Sequence, residues 1–426
     1  MAVVAIVDSG LNLNHSDIVP KLWTNTAEIP GNGLDDDANG VVDDVYGFDV
    51  LSSAGLSTSL LNNGDPQGHG THVAGIVTRL SPKSKIMPLR ILDVNGNGRL
   101  SDALFAWSYA LDNGAKVINN SFGDVGLPPS EFSFMEEAVR MGREKYGAVF
   151  IAAAGNQSNN NDVLPGTPAN VPGMISVGAI TLAGGVASFS NFGKETVHLF
   201  APGERIVSSD AFTVSGVTAK SGTSQAAPMV SAVVANLAGK NKNIPAAKLE
   251  QKLFKKLKPS RQLVDVSLTG SALASGLTRK VKSLPPTASS KRSAREDFVI
   301  GQLRRDRFIG VLDPSTGVTQ KDVANDLLCK GNSLIDEPDW PFDNIAVFSV
   351  NQSSRRSRGG CRGSGRSSRV FDKPKKSNPS KQAFSQIVET GFFQTVEWDA
   401  EVSFASDRSM SFFDPQSLLS SEISNL

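Results

Sequence analysis

Cysteine is almost absent. The 426 residues hold two, Cys329 and Cys361, both in the last quarter of the chain, so the first three quarters fold without disulfide staples and the count leaves the compartment open. Histidine is nearly as scarce, with four residues, which narrows the search for a general base to a few positions. No apolar run reaches the roughly 18 residues of a membrane-spanning helix. Neither charge dominates: 43 basic and 42 acidic residues leave a formal charge of +1, which gives no general attraction to nucleic acid or to a membrane surface. The opening MAVVAIVDSG lacks the basic flank and small-residue cleavage site of a secretory signal. Its small and β-branched residues read as a strand, so the chain is expected to start inside a fold, as a mature or truncated form would.

What is present is the usage of an ordinary globular chain, long enough for one large domain and a smaller one. From residue 3 to about 257, short apolar runs alternate with helical patterns. The runs are VVAIVD (3–8), KIMPLRIL (85–92), KVINNS (116–121), AVFIAAA (148–154) and MISVGAI (174–180). They are apolar almost throughout, as parallel strands covered on both faces must be. Helical patterns fall at 72–80, 101–113, 131–146, 223–238 and 245–257. This rhythm predicts an α/β fold over residues 1–284, a three-layer sandwich with a mainly parallel sheet, whose chemistry collects at the carboxyl ends of the strands. Residues 285–297 read as a linker from their Pro, Ser and charge content. Residues 298–405 read as a smaller α+β or partly disordered segment, interrupted at 351–381 by a basic loop of six Arg and four Lys against one Asp. Residues 406–426 read as a tail.

Ser224 lies in SGTSQAAP, directly before a helical pattern, where a serine serves equally as a helix cap. To act as a nucleophile its hydroxyl needs a base within hydrogen-bond reach, and usually an acid to orient that base. His15, in a polar loop, and His198, in a strand-like run, read as structural. In GHGTHVAG, Gly68 and Gly70 leave the His69 imidazole room to meet another group, while His72 points into the packing or capping of its own helix. The HGTH spacing does not match a zinc pair. Asp8 ends an apolar strand before a Gly turn, where it reads either as the orienting acid or as a strand-end turn residue.

Taken together, AIVDSG, GHGTHVAG and SGTSQAAP, in the order Asp, His, Ser, resemble the motif set of the subtilisin-like serine proteases over roughly residues 1–260. The resemblance implies a serine endopeptidase of the subtilisin type working through an acyl-enzyme, with Ser224 as nucleophile, His69 as base and Asp8 as orienter. It implies that Asn156 of AAAGN is an oxyanion donor. It further implies that Ser121, Phe122 and Gly123 of NNSFG offer backbone to an extended peptide, and that Ala152, Ala153, Ala154 and Gly155 form the other wall of the primary pocket. Their small side chains suggest broad preference with apolar P1 residues. By the same resemblance the enzyme is a secreted monomer acting on proteins or peptides, with no organic cofactor, no nucleic acid and no membrane partner. The reading from a different class is a catalytically silent binding or inhibitory protein of the same fold. Gln225 departs from the family, which most often has Met there.

Residues 31–49, GNGLDDDANGVVDDVYGFD, crowd Asp35, Asp36, Asp37, Asp43 and Asp44 around Asn39–Gly40. Carboxylates so close repel one another unless a hard cation neutralises them, which makes Asp35, Asp37, Asn39, Asp43 and Asp44 candidate calcium ligands. The D-x-D-x-N-G opening resembles an EF-hand loop, but Tyr46 stands where the terminal Glu would be; a solvated acidic loop is the plain alternative. Farther on, the strand and helix order of 298–405, ending in TVEWDAEV, resembles a subtilase propeptide, a small ferredoxin-like domain. A propeptide precedes its protease, so a propeptide-like or inhibitory module is expected here against a simple accessory segment.

Overall fold

The computed structural model describes residues 1–56, 64–125, 133–241 and 243–256, together with six strands farther along the chain. The first strands are β1 (Val3–Asp8), β2 (Phe48–Asp49), β3 (Ala54–Gly55), β4 (Lys85–Arg90), β5 (Asn97–Arg99), β6 (Val117–Asn120) and β7 (Asp124–Val125). Then follow β8 (Val149–Ala153), β9 (Gly166–Thr167), β10 (Ile175–Ile180), β11 (Leu199–Pro202), β12 (Ile206–Ser209), β13 (Val217–Lys220) and β14 (Thr278–Arg279). The helices are α1 (His69–Leu80), α2 (Leu100–Asp112), α3 (Ser133–Lys145), α4 (Thr223–Ala238) and α5 (Ala246–Lys256).

The central sheet runs β14-β11-β10-β8-β6-β1-β4-β2-β3. All pairings from β11 to β2 are parallel, and only the edge strands β14 and β3 run antiparallel. Side chains alternate across a strand, so β1 must satisfy two environments. Val4 and Ile6 pack with Val73 of α1, Val230 of α4 and Leu249 of α5. Ala5 and Val7 pack with Trp107 of α2 and Phe134 of α3. The sheet is thus the middle of three layers, which is why its strands carry no polar face. Each fully buried aliphatic or aromatic side chain contributes roughly 1.5–3 kcal/mol. Trp107 is fully buried because its one polar atom is satisfied: Nε1 donates to Asn120 Oδ1 at 2.8 Å.

The chain reverses its winding at β1. It crosses through α1 to β4 on one side, then returns through α2 to β6 on the other. Such a switch opens a crevice beyond the carboxyl end of the strand, where Asp8 stands. Helix α1 begins at His69, three residues before the sequence pattern suggests, because Gly68 takes the left-handed conformation (φ 77°) that starts the turn there. The β12–β13 hairpin has no counterpart among the sequence expectations, since its strands are short and partly polar.

Beyond β14, strands β15 (Arg307–Leu312), β16 (Ser333–Leu334), β17 (Ile345–Ser349) and β18 (Phe393–Trp398) form an antiparallel sheet in the order β16-β17-β15-β18. The run 393–404 reads as one strand in the sequence, but it is divided: β19 (Glu401–Ser403) leaves that sheet and pairs with β5. The helices expected in this segment, the linker 285–297, the basic stretch 351–381 and the tail 406–426 lie outside the described residues. No helix among the described residues is long and apolar enough to cross a membrane.

Candidate active site

Asp8 is fully buried at the end of β1. Its Oδ1 accepts the Ser9 backbone N–H at 2.8 Å and lies 2.8 Å from His69 Nδ1 in the first turn of α1. A carboxylate only accepts, so the proton between them sits on Nδ1, which leaves Nε2 as the basic nitrogen. That contact depends on Gly70. A Cβ at this position would lie 2.2 Å from the Gly10 carbonyl oxygen and 3.3 Å from Asp8 Oδ1, so any larger residue pushes α1 off β1.

The β1–β6 register pairs Val7 with Asn120, so Asp8 and Ser121 are the next residues along two neighbouring strands. Ser121 in turn holds Ser224. The Ser224 hydroxyl donates to the Ser121 carbonyl at 3.1 Å, and the Ser121 hydroxyl donates to the Ser224 carbonyl at 3.0 Å. The second bond has a reason in the sequence. Pro228 lies inside α4, four residues after Ser224, and has no N–H to give that carbonyl. Ser121 supplies the missing donor and is itself oriented by Asn119 Nδ2 at 2.9 Å, while Asn119 Oδ1 accepts the Ser231 hydroxyl at 2.8 Å. Helix α4 is thereby fixed to the end of β6 at two points, about two turns apart on the helix.

Asn156 follows β8 on the other side of the α4 N-terminus. Its Oδ1 accepts both the backbone N–H and the hydroxyl of Thr223, at 2.8 and 3.0 Å. Two donors on one oxygen fix the amide orientation and make Nδ2 the donor end. Thr223 Oγ1 also accepts the Gly155 N–H at 3.1 Å. The helix N-terminus, with its amide N–H groups and positive dipole end, and the Asn156 amide therefore face a common region beside Ser224.

A model of the Subtilase family matches residues 1–282. The chain belongs to the subtilase family. It is similar to the thermophilic serine proteinase of Bacillus sp. (strain AK1), 33% identical over 253 residues that make up 56% of this chain and 53% of that protein. The chain thus spans about half the length of that relative. It is also similar to thermitase of Thermoactinomyces vulgaris, 33% identical over 260 residues, 58% of this chain and 79% of that protein. The solved nisin leader peptidase NisP from Lactococcus lactis is 21% identical, with a TM-score of 0.50 over 65% of this chain and 87% of that one, a likeness of fold.

The other histidines of this subtilase are structural. His72 Nε2 donates to the carbonyls of Ile206 and Thr218 at 3.0 and 3.2 Å, tying α1 to the β12–β13 hairpin rather than serving its own helix. Burial pushes its pKa down to about 3. His198 accepts the Ser176 N–H at Nδ1, and burial lowers its pKa to about 4. His15 Nε2 donates to the Gly216 carbonyl at 2.9 Å.

The pocket residues divide by side chain and backbone. Phe122 and Ala152 belong to the apolar cluster on the α2–α3 face, Ala153 to the opposite cluster, and Ala154 packs with Ile180, Val197 and Phe200. Their side chains belong to these buried clusters, and Ser121–Gly123 and Ala152–Gly155 also have backbone to offer a peptide. Asn161 and Asn191, not anticipated from the sequence, donate to the Ala154 carbonyl at 2.8 and 3.0 Å and brace this turn. Nothing local marks them, because Asn191 meets the turn from more than 30 residues away.

The acidic loop is rearranged relative to expectation. Asp37 and Asp44 come together with Glu28, which precedes the acidic stretch, and one ligand oxygen from each lies within 4.8 Å of the others. Asp35 instead accepts the N–H groups of Asn39 and Gly40, and Asp43 those of Gly31, Asn32 and Gly33. Asn39 donates Nδ2 to Asp44 at 2.8 Å. Asp35 and Asp43 thus shape the loop through its backbone, while Asn39 adjoins the cluster through Asp44. Burial raises the carboxyl pKa of both Glu28 and Asp44 above the ordinary range. Glu28 Oε2 is buried with no hydrogen-bond partner among the described residues, and Asp44 also accepts the Tyr109 hydroxyl. Crowded, desolvated carboxylate oxygens with an unsatisfied lone pair fit a hard divalent cation.

Proposed function

We propose that this subtilase is a serine endopeptidase that hydrolyses peptide bonds in proteins through an acyl-enzyme, with broad specificity and apolar P1 side chains favoured. The observation that carries the reading is the Asp8–His69 contact at a strand end, one strand away from a serine on a helix N-terminus. In this reading the Ser224 hydroxyl turns from the Ser121 carbonyl to His69 Nε2, gives up its proton there, and attacks the scissile carbonyl. Asp8 keeps the proton on Nδ1 and stabilises the imidazolium. The negative charge on the carbonyl oxygen falls between Asn156 Nδ2 and the Ser224 N–H in the first turn of α4. His69 then returns the proton to the leaving amine, and water repeats the sequence on the acyl-enzyme. Glu28, Asp37 and Asp44 would hold a structural calcium, whose charge offsets their mutual repulsion and stabilises the loop; it has no part in the chemistry.

The test is labelling by an active-site-directed fluorophosphonate. The folded protein is expected to be labelled stoichiometrically, and Ser224→Ala not at all. A folded wild-type chain that stays unlabelled would sink the enzyme reading in favour of the silent binding protein.

A further inference from the structure

Ser9 stands directly after Asp8, and both are fully buried, as is Asp65 in the turn before α1. Asp8 Oδ1 carries both the His69 contact and the Ser9 N–H, whereas Oδ2 is buried with no hydrogen-bond partner among the described residues. Apart from His69 itself, the Asp8 carboxylate is thus held by the backbone N–H of the next residue. That N–H stays where the Ser9 side chain puts it. The Ser9 hydroxyl donates to Asp65 Oδ1 at 2.7 Å and accepts the Gly70 N–H at 3.0 Å, two roles that a hydroxyl fills at once. Asp65 also accepts the Gly68 N–H at Oδ1 and the Thr71 N–H at Oδ2, at 2.8 and 2.7 Å.

Those bonds cap α1 from outside. Gly68, at the cap position, has no side chain to offer the first turn, so the N–H groups of Gly70 and Thr71 turn to Ser9 and Asp65. The result joins β1 and α1 residue by residue: Asp8 to His69 through the carboxylate, and Ser9 to Gly70 through the hydroxyl. The lacing continues past the site, with the Leu11 N–H given to the Gly64 carbonyl at 3.1 Å and the Asn12 N–H to Thr71 Oγ1 at 2.9 Å. A cap that served stability alone could come from any neighbour of the first turn. This one comes from the residue that also anchors Asp8, and it holds the end of the helix on which His69 is the first residue, where helices fray most readily.

We propose that Ser9, clamped by Asp65, is a positioning residue for the proton transfer: it keeps the Asp8 carboxylate and the first turn of α1 in one fixed arrangement, so that the His69 ring meets Ser224 at the distance the transfer needs. Its effect on turnover rests on the serine-endopeptidase reading; its effect on the His69 ring does not. In this role Ser9 touches neither the substrate nor the reacting atoms and acts through Asp8 and Gly70. A displacement of about 1 Å in a reacting group costs about 100-fold in rate. The backbone that Ser121–Gly123 and Ala152–Gly155 offer a peptide belongs to other elements, so the loss is carried by kcat and not by KM.

The test compares the full chain with Ser9→Ala, which removes the hydroxyl and leaves the backbone N–H to Asp8 in place. For a fluorogenic hexapeptide with an apolar P1 residue, kcat is expected to fall about 10- to 100-fold with KM within about twofold of wild type. A hydroxyl that served stability alone would lower the melting temperature and leave kcat of the folded protein unchanged, so an unchanged kcat overturns the proposal, as does a loss carried by KM. A double-mutant cycle locates the effect. Read as the rate of fluorophosphonate labelling, Ser9→Ala introduced into an Asp8→Ala chain is expected to cost less than about threefold, because the contact it positions is already gone; an undiminished further loss overturns the proposal. A wild-type chain that takes up no fluorophosphonate overturns the enzyme reading instead, and the ring then decides. In the Ser224→Ala protein the proton between His69 Nδ1 and Asp8 gives a low-field NMR signal, and Ser9→Ala is expected to speed its exchange with water about tenfold. An unchanged exchange rate overturns the proposal whatever the chemistry. Should Ser9→Ala fail to fold, Ser9→Cys keeps the shape and weakens both hydrogen bonds: it is expected to lower kcat about 3- to 10-fold at unchanged KM, and wild-type kcat overturns the proposal.

Discussion

Gln225 follows Ser224 in sequence and is 1% exposed. Its Nε2 is buried with no hydrogen-bond partner among the described residues. Its Oε1 and Asn156 Nδ2 both crowd Gly222, where a Cβ would come within 2.8 and 3.3 Å of them. A buried amide donor without a partner costs about 1–3 kcal/mol, whereas an unbranched thioether of similar volume would fill the same space with no polar atom to satisfy. In the Ser224→Ala background, which removes self-digestion, Gln225→Met is therefore expected to raise the unfolding free energy by about 1–2 kcal/mol, read as a higher urea midpoint at unchanged slope. An equal or lower midpoint would mean that the amide is satisfied in the native protein. The oddity of Gln225 was visible from the sequence because its neighbours form a recognisable motif. The missing hydrogen bond was not, because it depends on what the α4 N-terminus is packed against.

At the scale of elements, the acidic loop and α4 follow one rule: a polar group is placed by whatever it must satisfy. α4 carries a proline where a regular helix would donate, and Ser121, directly after β6, supplies the donor. The loop spends Asp35 and Asp43 on backbone N–H groups and gathers Glu28, Asp37 and Asp44. A cation bound only by the folded chain at 100 times its dissociation constant adds about 2.7 kcal/mol. For a domain of this size that raises the melting temperature by about 5–10 °C. Calorimetry of the Ser224→Ala protein in calcium and in chelator is expected to show this rise, to lose most of it in Glu28→Gln, and to keep it in Asp35→Asn. A rise that survives Glu28→Gln but vanishes in Asp35→Asn would return the site to the ligand set suggested by the D-x-D-x-N-G spacing. Glu28 escaped the sequence reading because it precedes the acidic run and reaches the cluster only through the turn of the loop.

For the whole molecule, the buried histidines set the acid limit. His72 and His198 are held neutral, with pKa values of about 3 and about 4, whereas in the unfolded chain they titrate near 6.5. Between roughly pH 4 and 6.5 the unfolded chain thus binds two protons that the native one does not, so stability falls as pH falls, by about 1.4 kcal/mol per pH unit for each ring. Glu28 and Asp44 act with the opposite sign: their raised pKa values give stability at low pH that is lost as pH rises through the folded values. The two carboxyls offset part of the histidine effect wherever the folded protein still holds their protons while the unfolded chain is ionised. From pH 7 to 5 the two rings by themselves remove about 3–4 kcal/mol; urea titrations of the Ser224→Ala protein are expected to show a smaller fall with pH in His72→Asn and in His198→Asn, and a fall unchanged in both variants would show that the rings do not set the acid limit.

The sequence by itself determined the layered α/β order, since strands apolar on both faces admit only a sheet covered on both sides, and it marked Asp8, His69, Ser224 and Asn156, each in a local run of small residues. The tertiary structure decided what requires distant segments to meet. Glu28 joins Asp37 and Asp44, Ser121 completes the helix that Pro228 interrupts, and β19 crosses from the C-terminal sheet to β5. Hydrophobic periodicity reports which face of an element is buried, but not which partner lies against it, and it is the partner that satisfies a lone carbonyl, a crowded carboxylate or an open strand edge.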